Sequence, residues 1–363
     1  VLAVNCNCFY LDDKGAAAVA ELGEANARFF RTDVTVSGPS SRVTVRARSA
    51  YLGPEEDIAF TYRSRVMLVR TGVTVTLENL VVTGGTYISN GAGVANRGTL
   101  TVRSSEISGN RAWDKGGGLF NAPGSVLEVI DSLITGNQAV TLADEANALS
   151  VIRNVDPVVY PEAEFLLPDG GYGGGLFVDT GGTVTVSGTA ITANYAKLSG
   201  GAAYLSPTAA VAMTASPVSG NLADHEAVPP PPAPAFTYFS FGGGIVNLGT
   251  LTFSGADVSG NEARDQGGGL YVDPDSTSTF SGLAFSGNEA DFGGAIRQLY
   301  CDTPDNLTLT GVTFSGNVGR VFADDISSED VCPLVVPPGM VPDGRPGLVP
   351  QLDVDPDAPR RTR

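Results

Sequence analysis

Between Gly249 and Asp273 the chain alternates polar and apolar side chains in a short phrase. Thr250 and Thr252 flank Leu251 and Phe253, Val258 follows, then Ser259-Gly260-Asn261, then Gly267-Gly268-Gly269 and Leu270-Tyr271. A period of two marks a strand with one buried face. The phrase predicts a strand from Thr250 to Phe253, a turn at Ser259-Gly260-Asn261 and a second strand after Gly269. It recurs along most of the chain, and such repetition decides the fold. Aligned on the turn asparagine, the copies fall at Asn110, Asn137, Asn194, Asn221, Asn261, Asn288 and Asn317, with Gly85 in the equivalent place of the first coil. The intervals are 25, 27, 57, 27, 40, 27 and 29 residues. The two long intervals read as insertions at about 141–170 and 225–240, because each separates an asparagine from its glycine run.

Other columns share this alignment. Threonine pairs precede the asparagine at Thr74/Thr76, Thr99/Thr101, Thr183/Thr185, Thr250/Thr252 and Thr277/Thr279, with breaks at Val126/Glu128, Ala210/Ala212 and Asn306. Apolar partners alternate with them, as in Val75/Leu77, Leu127/Val129 and Val184/Val186. Three residues before each asparagine stand Ile107, Ile134, Ile191, Val218, Val258, Phe285 and Phe314. Each coil therefore supplies about three short strands and cannot bury its apolar face alone. Coils stacked roughly 4.8 Å apart close that core and pair their backbones along the axis. Asparagine at a tight turn tolerates left-handed dihedrals, and stacked amides hydrogen-bond from rung to rung. Glycine gives the backbone room at the other corner. The predicted architecture is all-β, a right-handed parallel β-helix of about eight to eleven coils, with handedness taken from the crossover rule.

The rest of the chain frames this body. Residues 1–65 read as an N-terminal cap with irregular first coils. Lys14 to Phe30 has helical character, and Val43–Arg46 and Ala59–Arg63 read as short strands. The solenoid covers 66–326, and 327–363 reads as a proline-rich extended tail that lies on the body or reaches a partner. Hydrophobic residues make up 42% of the chain, enough for a core. The formal net charge of −17 argues against nucleic-acid binding, which needs a basic footprint. No run of about 18 apolar residues predicts a membrane span. The chain opens on Val1 without a charged n-region and apolar core, which reads as a mature chain with any export signal removed.

Gly293-Gly294-Ala295-Ile296, Phe285 to Asn288 and Phe314 to Asn317 match the G-G-A-[ILV] and F-x-x-N tetrapeptides of the chlamydial polymorphic outer-membrane protein family. The other coils carry the looser G-G-G-[LI] and [IV]-x-x-N. The chain resembles the repeats of that family over about 66–326, and Gly98 to Asn110 is similar to secreted bacterial β-helix repeat proteins. The resemblance implies a parallel β-helix and cell-surface adhesion.

Candidate chemistry is sparse. Asp324-Asp325 has the adjacent-aspartate arrangement that β-helix hydrolases of the polygalacturonase type use as acid and base. No histidine is near it, and its place in the last coil favours a polar end-cap. Lys115, Lys197 and Arg264 share no basic-plus-acidic cluster of the kind a lyase requires. Asp114, Asp224, Asp265 and Asp291 follow their asparagines by three or four residues. They either line one edge as calcium ligands or form a solvated charged rim that blocks strand pairing. The threonine columns either form a flat ice-binding face or reflect β-propensity on an exposed sheet. His225, the single histidine, reads as a solvated loop residue beside Pro229–Pro232. Trp113 and Tyr172 share the sector of the insertions, where a lateral ligand is expected if one binds. Cys301 and Cys332 stand at nearly equivalent angles on successive coils and suit a disulfide, while Cys6 and Cys8 have no assignable partners. That usage favours an oxidising, exported location. Asn306-Leu307-Thr308 is a glycosylation sequon.

Together these readings predict a secreted or cell-surface, non-enzymatic β-helix scaffold for adhesion or assembly, with a protein or glycan partner at a cell surface and no cofactor other than calcium. The alternatives are a lyase or hydrolase acting on an acidic glycan along the helix flank, and an ice-binding protein.

Overall fold

The computed structural model describes residues 28–30, 34–37, 43–46, 65–87, 89–141, 170–225, 239–298 and 306–328. These form a parallel β-solenoid of about eight full turns, with four sheets of ten, nine, eight and nine strands. Each complete coil contributes one strand to each sheet. In one such coil these are Ile245–Asn247, Thr250–Ser254, Asp257–Ser259 and Glu262–Ala263. The expected three strands per coil are thus four. The fourth is the two- to five-residue strand just after the asparagine, too short to show a period of its own. No helix occurs among the described residues, and so none there is long and apolar enough to cross a membrane.

Register follows the sequence alignment. Thr99 stands over Thr74, Leu100 over Val75 and Thr101 over Thr76. Ile107 lies between Val82 and Ile134. Even across the 57-residue interval Ile134 pairs with Ile191, so the insertion leaves the ladder unbroken. The inward residues form one continuous core from Val66 to Ile326. Each buried aliphatic side chain there contributes roughly 1.5–3 kcal/mol. Toward the C-terminal end, rings fill the same interior: Phe253 meets Phe280 edge-on, and Phe285 stacks on Phe314 at 5.5 Å between centroids.

Two local expectations change. Arg28–Phe30, the end of the stretch read as helical, is a strand paired with Met67–Val69. A sheet edge offering register to Phe29 and Phe30 overrides weak helical propensity. Residues 14–27 lie outside the described residues, as do Ala59–Arg63 and most of both insertions. Val43–Arg46 is the strand expected.

Candidate functional site

The seven asparagines do fall in one line, but inside the molecule. All are buried. Each side-chain amide donates to the carbonyl oxygen of the next side chain, at 2.9–3.0 Å from Asn110 through to Asn317. The same oxygens accept backbone N–H groups of the preceding rung, for example Asn137 N to Asn194 Oδ1 at 3.0 Å. The second amide hydrogen goes to a main-chain carbonyl, as in Asn194 Nδ2 to Ile134 O. At the N-terminal end Gly85 N donates to Asn110 Oδ1. None of the seven asparagines has a positive φ, so left-handed tolerance is not their role. That conformation belongs to the residue before, such as Gly109, Gly136, Ala193, Gly220 or Gly260.

The ladder ends on Asp325. Asn317 Nδ2 donates to Asp325 Oδ1 at 2.9 Å, and Asp325 is buried. Asp324 Oδ1 accepts Gly319 N at 3.1 Å. Both candidate aspartates accept hydrogen bonds within the last described rung.

A second column went unseen in the sequence. Ser105, Ser132, Thr189 and Ser216 are buried, and each hydroxyl accepts a backbone N–H from the preceding rung: Leu80, Ser105, Ser132 and Thr189 respectively. Its only sequence signal is a hydroxyl residue five before each asparagine. Later coils place Ala256, Leu283 and Val312 there instead.

The flank where the insertions leave the body carries rings on the outer side of the ten-stranded sheet. Phe177 stacks between Phe120 and Tyr204 at 5.7 and 5.2 Å, and Tyr172 tilts against Tyr204 at 5.1 Å. Further along, Phe241 lies 4.7 Å from Tyr271. Phe120, Phe177, Tyr204 and Tyr271 are the second members of the apolar pairs after the glycines, turned outward, while Tyr172 and Phe241 stand just before their glycine runs, and the rings cover one another along the axis. Burial pushes the Tyr204 phenol well above its ordinary range, with Tyr172 and Asp273 adding to the shift. Burial also raises the Asp273 carboxyl. Trp113, expected at this surface, is buried beside the Arg111 guanidinium instead.

His225 is only partly exposed. Its Nδ1 lies 2.8 Å from Ser240 Oγ and 3.3 Å from Asp265 Oδ2, and Arg264 donates to its carbonyl oxygen. Ser, His and Asp meet here, yet both oxygens face one imidazole nitrogen. A nucleophile–base relay uses two, and Ser240 is buried. The cluster ties both ends of the second insertion to the next rung.

No family model matches the chain, and neither does any curated protein or solved structure.

The remaining candidates are dispersed. Asp224 pairs with Arg264 at 3.5 Å, Asp265 accepts Ser240 N at 2.7 Å and Asp291 pairs with Arg320 at 3.0 Å. Asp114 accepts Gly171 and Tyr172 N–H groups through its main-chain carbonyl. Among the described residues no three His, Cys, Asp or Glu side chains are grouped to hold a metal ion. Lys115 sits over the Phe177 ring, Lys197 is buried and Arg264 is held by Asp224, so the three bases do not converge. Asn306 of the sequon is buried, with its amide near the Asp273 and Pro274 carbonyls, where a glycosyltransferase has no access in the folded state.

Arg320 clips three rungs together. It reaches Glu262 at 3.3 Å, Glu289 at 3.2 Å and Asp291 at 3.0 Å, and donates to the Ala263 carbonyl at 2.9 Å. Glu262 and Glu289 are register partners, like charges directly opposite. Replacing Arg320 with Gln should destabilise the chain by about 1 kcal/mol at low salt, the scale of a half-exposed ion-pair network. The difference should shrink in 1 M salt as screening shortens to about 3 Å. Urea unfolding of both chains at two salt concentrations measures this.

The threonines expected to form a flat face do line one outer surface. Thr35, Thr76, Thr101, Glu128, Thr185, Ala212, Thr252, Thr279 and Thr308 succeed one another in register, and Thr74, Thr99, Val126, Thr183, Ala210, Thr250 and Thr277 form a parallel column. From Thr183 to Thr310 every outward position on this sheet is Thr, Ser or Ala.

All four cysteines lie outside the described residues. Gln298 and Ser328, which precede Cys301 and Cys332 by three and four residues, are register partners. Peptide mapping without reductant tests the bridge expected from the sequence: a linked Cys301–Cys332 peptide would establish it, and recovery of both as free thiols would remove it.

Proposed function

We propose that this chain is an exported, rigid β-solenoid scaffold at a cell surface, non-enzymatic, used for adhesion to or assembly with a protein or glycan partner. The observation that carries this reading is the fate of the polar interior. Seven amides and the terminal Asp325 are committed to an uninterrupted ladder, and Asp324, His225 and Asp265 each hold main-chain or neighbouring groups. The match of Gly293–Ile296 and of the two F-x-x-N phrases to chlamydial outer-membrane repeats supports the adhesive part. The architecture alone does not carry it, because one fold hosts many roles. Purified chain incubated with polygalacturonate or alginate should release no reducing ends and no unsaturated product, while recovery from the native source should bring a stoichiometric envelope partner. Cleavage that disappears on Asp324→Asn would replace the scaffold with the glycan-cleaving alternative.

The uncharged threonine surface favours a second reading, ice binding. Its columns repeat at the strand spacing in one direction and at alternate residues in the other, on a rigid backing. Thermal hysteresis in the native chain that is lost on Thr185→Tyr and Thr252→Tyr would establish it. Absence of hysteresis in the native chain would end it.

A further inference from the structure

One corner of the solenoid recurs as a four-residue turn. It closes by a main-chain bond from Val73 N to Arg70 O, Ser125 N to Ala122 O, Gly182 N to Asp179 O, Ala209 N to Ser206 O and Ser276 N to Asp273 O, at 2.8–3.1 Å. Proline takes the second place at Ala122-Pro123 and Ser206-Pro207, and an aspartate opens the turn at Asp179-Thr180. Among these five corners only Asp273-Pro274 combines the two. An Asp-Pro link is the most acid-labile of ordinary peptide bonds. The tertiary amide nitrogen of proline takes up a proton more readily than a secondary one, and the aspartyl carboxyl reaches its own carbonyl carbon through a five-membered ring. The surroundings of Asp273 favour that chemistry. Its carbonyl oxygen accepts Ser276 Oγ at 2.7 Å besides Ser276 N, and Asn306 Nδ2 stands 3.4 Å away. Gln298 Nε2 donates to Asn306 Oδ1, which aims the Asn306 amide hydrogens at the Asp273 and Pro274 carbonyls. Donors converging on a carbonyl oxygen stabilise the negative charge it gains under attack. Asp275 N donates to Asp273 Oδ1 at 3.1 Å, an Asx turn that folds the carboxyl toward the chain that follows. Burial raises the Asp273 pKa and outweighs the Asp275 N–H, which lowers it, so the carboxyl keeps its proton to a less acidic pH than an ordinary aspartate.

We propose that the bond between Asp273 and Pro274 is a self-cleaving processing site that opens in mild acid. The Asp273 carboxyl oxygen bonds to the Asp273 carbonyl carbon, the carboxyl proton passes to the Pro274 nitrogen, and the C–N bond breaks. Asp273 is left as a five-membered cyclic anhydride and Pro274 as a new amino terminus. Water then opens the anhydride to two carboxyl groups. The solenoid holds the two pieces together after the break. Leu270–Val272 keeps its register partners on both sides, at Ile245–Asn247 and Ile296–Gln298. Thr277–Ser281 keeps its own, at Thr250–Ser254 and Leu307–Thr310. This inference is independent of the adhesion reading.

Incubation of the full chain in acid tests it, at the lowest pH that keeps the native circular-dichroism spectrum and, in parallel, in concentrated urea at the same pH. Intact mass should find fragments 1–273 and 274–363, which co-elute under native conditions and form about tenfold faster in the folded chain than in urea. Asp156-Pro157 and Asp355-Pro356 are the other Asp-Pro bonds of the sequence, and their breakage gauges cleavage that owes nothing to this corner. Pro274→Ala should leave the chain whole between 273 and 274. Ser276→Ala should slow the break there about tenfold while the other two bonds keep their rates. The proposal falls if the folded chain stays intact at this bond, if it breaks there no faster than in urea or than at the other two bonds, or if Ser276→Ala leaves the rate unchanged.

Discussion

Asn194→Ala should cost about 3–5 kcal/mol, as three groups lose their partner in a dry interior and each unsatisfied group costs roughly 1–3 kcal/mol. Those groups are the Asn137 main-chain N–H, one Asn137 amide hydrogen and the Ile134 carbonyl. Asn194 lies mid-ladder, and a solenoid's stability is a sum of rung and nearest-neighbour terms. The weakened rung should therefore also uncouple the two halves, so that urea unfolding followed by circular dichroism broadens or splits into two transitions. Thr252→Ala, on the exposed face, should stay within about 0.5 kcal/mol. Equal losses for the two variants would refute the ladder as a source of stability.

Asn194→Asp sharpens the argument. The carboxylate keeps the oxygen that accepts from Asn137 but has no hydrogens for Asn221 Oδ1 or Ile134 O. Burial against acceptors raises its folded-state pKa above the unfolded value of about 3.9. The penalty is then absent below the unfolded pKa, grows as pH rises above it and saturates above the folded pKa. The variant should lie closer to the native chain in stability at pH 3 than at pH 7. At the end of the described ladder the carboxylate of Asp325 instead accepts from Asn317 Nδ2.

What the sequence disclosed and what it hid follow from the physics of each column. Columns with a strict period were legible. Thr250/Thr252 with Leu251/Phe253, and the residues from Ile107 to Phe314, predicted strands whose faces and register the fold reproduces, across both insertions. The asparagine spacing located the rungs, but the residue type misled about place: asparagine suggests a surface turn, and only stacking shows that every amide group has a partner inside. The Ser105–Ser216 column was hidden because serine and threonine are equally common on exposed strands. His225 was misread because its partners, Ser240 and Asp265, are remote in sequence and set by coil stacking. The outward rings from Phe120 to Tyr271 were hidden by their apolar neighbours, since adjacent apolar residues cannot both face one way on a strand.

Glycine runs show the same limit, and a pair of variants resolves it. In Gly242-Gly243-Gly244 only Gly242 has a positive φ, +58°. Gly243 has ordinary dihedrals but lies against the main chain of the next strand, where an added Cβ would fall inside the van der Waals radius of the Glu262 carbonyl. Neither segment can yield, because both are fixed by ladder hydrogen bonds: Gly243 N donates to Gly267 O and Glu262 N to Asn221 O. Gly243→Ala should therefore cost more than ordinary overpacking, about 3–5 kcal/mol, or abolish soluble expression. Gly220→Ala is the control. Gly220 has φ +61° with open space around its Cβ, and Ala193 already occupies the equivalent position before Asn194 at φ +52°. Its cost should be only the left-handed backbone term, about 1–2 kcal/mol. If the two variants lose equal stability in chemical denaturation, the recurring corner geometry is a matter of dihedral freedom. If Gly243→Ala is far worse, it is the close approach of successive backbones that demands a residue without a side chain, and that approach sets the cross-section of every coil from Gly117 to Gly294.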